Sequence, residues 1–495
     1  MFEKTDIIVI GAGCCGLAAA ATAAAGGAKV IVFEKQRSLG GTSNFFEGTF
    51  AVESAMQRER YITYSRDEAF KRMMEYSHWR ANARLVRVFV DESASTIAWL
   101  QEAGVQFTDV ATNMPDGPRT YHIVKGRGAA VVKALAAKAK ELGADIRLGT
   151  PVTRITRQGD LITGAIVDAD GDETAVAAPA VIIASGGYAN NKAWVKKYSG
   201  FDIDANMIPV GNVDKMGDGI RMAWEVGAAE EGMGVLEAYR FGPMGPEFRT
   251  YGPLQMVALQ PDLWVDPRGE RFCDEGIAFH DTSVGNVNGR YKEGYTYCLF
   301  DDAIKEYYIE HGIHRNVGWK NAPGTKPTGF DSELTSALEK GTTEAFSSDS
   351  VEELAKKMGV EPGVLRATVD EYNRFCDRGH DEVFAKNAKY LRPLKGPKYY
   401  AVKARTILLV TLGGIKVNHR MEVMDKRDRT IPGLYAGGMD AGGMWGDSYP
   451  IQDATGASSA FATNSGRIAA RHALAFIGKS RTQAPDRGGG QKALV

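Results

Sequence analysis

The chain of 495 residues has little cysteine: five in all, with Cys14 and Cys15 adjacent and Cys273, Cys298 and Cys376 far apart. That spacing offers neither a disulfide framework nor a metal-ligand motif, so a reduced, cytoplasmic setting and no metal are expected. Net charge is also lacking. Sixty basic residues stand against 61 acidic ones, a formal −1. That balance excludes a generally basic nucleic-acid binder and an acidic tail protein. Long apolar runs are missing too. The stretch from Leu17 to Phe33 comes nearest, but Thr22, Gly26, Gly27 and Lys29 interrupt it, so no span of about 18–20 residues is expected to cross a bilayer. No basic region precedes the short apolar run at the N-terminus, so no secretory leader is read there. The haem attachment pattern C-x-x-C-H is absent, which removes one form of fused electron supply.

Glycine is what the chain has in excess: 57 residues, about 12% where about 7% is usual. The glycines cluster, which points to backbone shaped against a ligand. The first cluster is Gly11-Ala12-Gly13-Cys14-Cys15-Gly16. It follows an apolar run, Asp6 to Ile10, read as a buried strand, and precedes an alanine-rich helix that stops at Gly26-Gly27. In that setting Gly11 permits the tight turn, Gly13 lets backbone approach a pyrophosphate, and Gly16 lets helix pack on strand. The helix N-terminus then offers free N–H groups to the phosphates. Glu34 ends the next strand, Lys29 to Phe33, and its carboxylate suits ribose hydroxyls; Lys35 follows it. A second glycine-hydroxyl loop, Gly40-Gly41-Thr42-Ser43, reaches toward the same pyrophosphate. Two further strand ends carry Ala184-Ser185-Gly186-Gly187 and Gly433 to Gly438. A ligand touching strand ends from the start, middle and end of the chain is long and enclosed, which favours FAD over exchangeable NAD.

At this length two to four domains are the prior. Helices are expected over Asp67 to Trp79, Arg84 to Ala103 and Gly128 to Glu141. A hairpin is expected from Val152 to Asp168 around a Gly159-Asp160 turn. From about Glu237 to Lys395 the chain turns aromatic and loses the dinucleotide pattern. Strand signal returns near Tyr399, and a long helix is expected from about Ala454 to Ile477. The fold class is therefore α/β, with 237–395 a separate inserted lobe. A disordered tail is expected at the end of the chain, from Gly478 by composition and over 481–495 as a domain boundary.

The motifs together resemble the flavoprotein family of fumarate reductase and succinate dehydrogenase. They are the first glycine cluster with Glu34, SLGGTS at 38–43, ASGGY at 184–188, MGDGI at 216–220, RGERFCDE at 268–275, TLGGIKVN at 411–418 and IPGLYAGGMDAGG at 431–443. The resemblance implies a Rossmann-like FAD-binding domain split into 1–236 and 396–480 around an inserted α+β capping domain, 237–395. It implies a FAD site that also uses Val152, Ser185, Gly186 and Ala454, with Asp218 and Asp440 near the flavin or its ribityl chain. Some members attach FAD through a His beside the Thr-Ser loop. Here that stretch is Thr42-Ser43-Asn44-Phe45, so the resemblance implies non-covalent FAD.

Three slots depart from the fumarate-reducing pattern. Phe279 stands where an Arg proton donor is carried, Val410 where a His stands, and Tyr449 where a carboxylate-clamping Arg stands. Dicarboxylates need cationic clamps, so fumarate and succinate are not the expected substrates. Tyr449, in Gly446-Asp447-Ser448-Tyr449, is instead similar to the 3-ketosteroid 1-dehydrogenase branch. There a Tyr hydroxyl and a backbone N–H bind a ketone oxygen, the latter expected here from Ile451 to Ala454. A neutral phenol donates well at pH 7, and such donors stabilise a developing enolate. His280, beside Phe279, and Tyr121, beside His122, are candidate proton carriers. The expected reaction is FAD-dependent α,β-desaturation of a ketone: a 3-ketosteroid, cyclohexanone or 4-oxocyclohexanecarboxylate, with O2, a quinone or a carrier protein as acceptor. The alternatives are the reverse reaction, an enone or enoate reductase, and a flavin-binding electron-transfer subunit.

Overall fold

The computed structural model describes residues 3–483, apart from 113–116, 170, 204, 212, 319 and 320. Its organising layer is a six-stranded sheet. The strands are β1 (Ile7–Ile10), β2 (Val30–Glu34), β3 (Asp145–Leu148), β4 (Ala180–Ile183), β5 (Glu422–Met424) and β6 (Thr430–Ala436), in the order β5-β6-β4-β1-β2-β3. All neighbours are parallel except β5, which runs antiparallel to β6. Parallel strands covered on both faces need apolar residues at every position. Ile7, Ile8, Val9 and Ile10 meet that need, all buried, as are Ala180, Val181, Ile182 and Ile183. β4 lies between β1 and β6, so stretches from the start, middle and end of the chain are adjacent.

Helix α1 (Cys14–Ala25) connects β1 to β2 and is buried almost all round. Its alanines leave room for helices α2 (Arg127–Glu141) and α3 (Ala457–Gln483) to pack against it. The approach to α3 is very close. A Cβ on Gly466 would lie 2.1 Å from the Cys15 carbonyl oxygen.

A second sheet carries its own core of Leu254, Trp264, Tyr297, Phe300, Leu354 and Tyr372. Its spine is the long strand Tyr399–Thr411. Leu236–Phe241, Tyr295–Asp301 and Ala345–Ser348 pair antiparallel to it, and Ile208–Pro209 pairs parallel. The sheet therefore recruits strands from outside 237–395. The far end of the spine, Leu408 and Val410, belongs to the first core, so one strand joins the two. The Val152–Gln158 and Leu161–Ala169 hairpin forms a smaller antiparallel sheet with Asp172–Ala177. Among the described residues no helix is long and apolar enough to cross a membrane.

The C-terminal helix corrects one expectation. It continues through Gln483, past Gly478 and past 481. A lone helical glycine costs about 1 kcal/mol, and burial of Ala473 and Ile477 against the core outweighs it. Residues 484–495 of the expected tail, with Arg487 to Gln491, lie outside the described residues.

Two glycines of α3 make a matched test. Gly466→Ala forces a methyl against backbone and should destabilise by about 1–3 kcal/mol. Gly478→Ala meets nothing within 4 Å and should be neutral or stabilise by up to about 1 kcal/mol. Urea midpoints of the two variants should move in opposite directions; equal shifts would refute the close helix crossing.

Candidate active site

The glycines of the first loop do different work. Gly11 has φ +102°, and a Cβ there would lie 2.4 Å from the Ala184 carbonyl oxygen, so it lets β1 and β4 meet. A Cβ on Gly16 would lie 1.9 Å from the Gly11 carbonyl oxygen, so it lets α1 close on the loop. Gly13 has neither constraint: φ is −78°, and its nearest neighbour would be Ser43 Oγ at 3.3 Å. No backbone of the protein demands glycine there, and the N-cap residue itself offers α1 no side chain. What remains is an open approach to a helix N-terminus, a site suited to phosphate.

Glu34 faces this loop. Ala12 N–H donates to Oε2 and Gln36 N–H to Oε1, both at 2.8 Å. Each oxygen keeps accepting capacity, as ribose binding needs. From the second loop Ser43 Oγ accepts from Cys14 N–H at 3.0 Å. Gly41, at φ +49°, opens the short 3-10 turn that carries Thr42 and Ser43. Thr42 Oγ1 is buried with no hydrogen-bond partner among the described residues. A glycine at the helix N-terminus that the protein alone does not require and a stranded hydroxyl beside it fit a bound dinucleotide. Thr150 N–H donates to the Glu34 carbonyl at 2.9 Å, which sets Val152 beside the same strand end.

The two acids that the resemblance sets near the flavin, Asp218 and Asp440, both have protein partners. Asp440 is fully buried, and its carboxylate accepts from Ser185 Oγ at 3.0 Å and from the N–H groups of Gly186 at 3.1 Å and Gly187 at 3.0 Å, as well as from Ser185 N–H. Burial pushes its pKa up, against those donors. It is turned into protein, tying the end of β4 to the turn after β6, because four donors there outcompete any one ligand hydroxyl. Asp218 pairs with Lys35 at 2.7 Å, beside Asp214 at 2.9 Å. The adjacent cysteines are inert: burial pushes both thiols up to about 12.

A cavity of about 530 Å³ opens beside Ser43. One wall is Thr42, Ser43, Gly48 and the approach to α3 from Thr455 to Ser459. The facing wall belongs to the second sheet and its loops, with Glu237, Arg240, Gln255 and Arg315. Tyr449, Tyr121 and Val410 lie between them.

Tyr449 is buried, and its hydroxyl accepts from Ser458 N–H at 3.1 Å and donates to Ser458 Oγ at 3.3 Å. Burial raises its pKa, and the Glu237 carboxylate raises it further. Tyr121 is likewise held protonated by burial, then by Glu47, Tyr449 and Glu237. These side chains are therefore close enough to feel one another's charge. A Cβ on Gly456 or Gly48 would strike the Tyr121 ring at 2.5 or 2.8 Å, so two glycines seat that ring.

The structure does not bring His280 to the cavity. It follows the 3-10 turn Glu275–Phe279, where Phe279 packs on Tyr390 at 5.3 Å, and neither residue lines the cavity. Adjacency to an active-site slot in sequence did not survive the turn. His122 is no substitute. Its Nδ1 faces the Thr120 carbonyl at 3.0 Å and so carries the proton, and Nε2 meets Ser54 Oγ at 2.7 Å. Burial lowers its pKa to about 4. Three N–H groups of the expected donor loop have backbone partners. Ile451 N–H bonds the Tyr449 carbonyl, and Asp453 and Ala454 N–H bond that of Pro450. The backbone donor at Tyr449 is Ser458, in the first turn of α3. Glu237 and Arg240 escaped the sequence reading, although two charged residues in the short strand Leu236–Phe241 were a visible signal.

Comparison with known proteins follows the same lines. The FAD binding domain family matches residues 6–450. Vinyl phenol reductase of Lactiplantibacillus plantarum is 34% identical over 483 residues, covering 96% of this chain and 97% of that protein. The 3-ketosteroid delta1-dehydrogenase of Sterolibacterium denitrificans superposes with a TM-score of 0.78 at 19% identity, over 96% of this chain and 100% of that one. A flavocytochrome c3 fumarate reductase in its open conformation gives 0.74 at 24% identity, over 96% and 78%. At these identities the two solved structures speak for the fold alone. With a family match over nine-tenths of its length and a relative of equal extent, the chain belongs to the FAD-binding flavoprotein family of the fumarate reductases and is an FAD-dependent oxidoreductase.

Proposed function

We propose that the chain reduces a carbon–carbon double bond conjugated to an oxygen-bearing group. The observation that carries this reading is Tyr449: a buried phenol, kept protonated, on the wall of the cavity beside Glu237. Bound FAD supplies hydride exchange with carbon. The residues that would hold it are those of the first loop, Glu34, Lys35, Thr42, Ser43 and the ends of β4 and α3. Ser458 N–H donates to the Tyr449 hydroxyl and leaves its proton free to be given onward. In the ligand-free chain that proton goes to Ser458 Oγ over a long 3.3 Å, a contact a substrate oxygen can displace. Donated to that oxygen, it stabilises the negative charge that builds as carbon accepts hydride. Tyr121 stands as a second phenol in the same wall, and the facing wall, in the cap we place at 237–395, excludes water.

The direction rests on the vinyl phenol reductase of equal length, a reductase by name. The reverse reaction, desaturation of a cyclic ketone, is a second reading, favoured by the same phenol donating to a ketone oxygen. Reduction needs an electron donor and desaturation an acceptor such as O2, a quinone or a carrier protein. Buried Val410 and Tyr449 leave two dicarboxylate slots without cations, so fumarate should turn over poorly.

The cavity wall contains no His or Cys among the described residues, so acid precipitation should release yellow flavin into the supernatant. Flavin remaining with the pellet would contradict non-covalent binding. Tyr449→Phe keeps the ring and removes the donor, together with the acceptor of the Ser458 N–H. Reoxidation of reduced enzyme by an activated alkene should slow about 10²–10³-fold with FAD content unchanged. Stopped-flow flavin absorbance checks this; a full-speed variant would take Tyr449 out of the reaction.

A further inference from the structure

Arg240 is an unusual buried charge. It is 2% exposed, at the cavity wall, on the strand Leu236–Phe241. Its Nε donates to Thr296 Oγ1 at 3.1 Å and Nη1 to the Ala258 carbonyl at 2.8 Å, and the guanidinium lies 4.1 Å from the Trp264 ring centroid. All three partners are neutral. No carboxylate comes within ion-pair distance of it among the described residues, and Nη2 is buried with no hydrogen bond. Burial brings its pKa down only to about 10, so it stays charged at neutral pH. Buried charges are normally paired, because an unpaired one keeps its full desolvation cost. Thr296, Ala258 and Trp264 hold the guanidinium in place, Arg240 is among the residues that line the cavity, and Arg315, also lining it, adds positive potential.

A second unmet donor stands on that wall. Gln255 is 2% exposed; its Oε1 accepts from Tyr251 N–H at 2.7 Å, while Nε2 is buried without a partner. One charged and one neutral donor, both without a hydrogen-bond partner among the described residues, are the donor types that carboxylates accept from. The dinucleotide loops lie on the opposite wall, so this pair is not part of the cofactor cradle.

We infer that Arg240, with Gln255, is the anchor for a carboxylate carried by the substrate, at a position distinct from the lost cation slots at Val410 and Tyr449. Resting on the reading above, this names the substrate class: a monocarboxylate whose double bond or ketone lies far enough from the carboxylate for its activating oxygen to reach Tyr449. A 2-enoate whose carboxylate is its own activating group meets one end only. A 4-oxo acid such as 4-oxocyclohexanecarboxylate, or its unsaturated form, carries both groups.

The test is binding to oxidised holoenzyme, followed by perturbation of the flavin spectrum. The probes are 4-oxocyclohexanecarboxylate, its methyl ester and cyclohexanone. Wild type should bind the acid at least 10-fold more tightly than the ester. Arg240→Met should erase that preference, weakening the acid about 10–100-fold and leaving the ester within about twofold. Arg240→Lys should restore part of it. Gln255→Leu should cost the acid about fivefold. Urea midpoints supply a readout free of ligand. An anchor waiting for an anion predicts that Arg240→Met is as stable as wild type or more so, because an unpaired buried charge has gone; a structural arginine predicts a clear loss. Equal affinity for acid and ester, no binding of the acid, or equal weakening of both by Arg240→Met would overturn the anchor. A reduced enzyme that no activated alkene reoxidises would sink the reductase reading, while the acid-over-ester preference would stand on its own.

Discussion

The carboxylate of Asp440 holds the architecture together at the point where function begins. It accepts from Ser185, Gly186 and Gly187 and thereby joins the end of β4 to the turn after β6. Those segments are some 255 residues apart in the chain. Downstream of Asp440 come Tyr449 and the start of α3, which form one side of the cavity. Upstream of it lies the strand Tyr399–Thr411, which reaches into the second core. A buried acid satisfied by several backbone N–H groups is strong where its neighbours are rigid. Here both neighbours are glycine-rich turns, and the carboxylate adds to single bonds such as Gly438 N–H to Ser465 Oγ and Tyr188 N–H to Thr411 Oγ1.

The cavity divides into a wall whose polar groups are mostly met and a wall where donors are left over. On the dinucleotide side Glu34, Ser43 and Asp440 already have protein partners, so the cradle is formed before any ligand enters. On the facing side Arg240 Nη2 and Gln255 Nε2 have none among the described residues. Leaving such groups buried and unmet costs stability that a core without function would not bear. Between the walls, Tyr449 and Tyr121 stay protonated because burial and the nearby acids oppose their ionisation. In the function we propose, the chain separates three tasks: holding a dinucleotide, carrying a proton and selecting a substrate.

The sequence by itself determined the dinucleotide half. Strand, glycine turn and helix are consecutive there, so periodicity and local backbone chemistry carry the information, and Gly11, Gly13, Gly16 and Glu34 could be assigned without knowing what lay across the sheet. Tyr449 was legible for a similar reason: it sits in a run of motif residues with fixed spacing. Tertiary structure decided everything that depended on which way a side chain points. His280 lies off the cavity together with its neighbour Phe279, the slot residue, which packs on Tyr390. Asp440 binds the protein rather than facing the cavity, because its four donors come from another strand end. Glu237 and Arg240 were ordinary charges in a short strand until the second sheet folded over the first and buried them. Burial turns a charge into a specific requirement for a partner, and burial is a property of chain segments meeting, which no local pattern records.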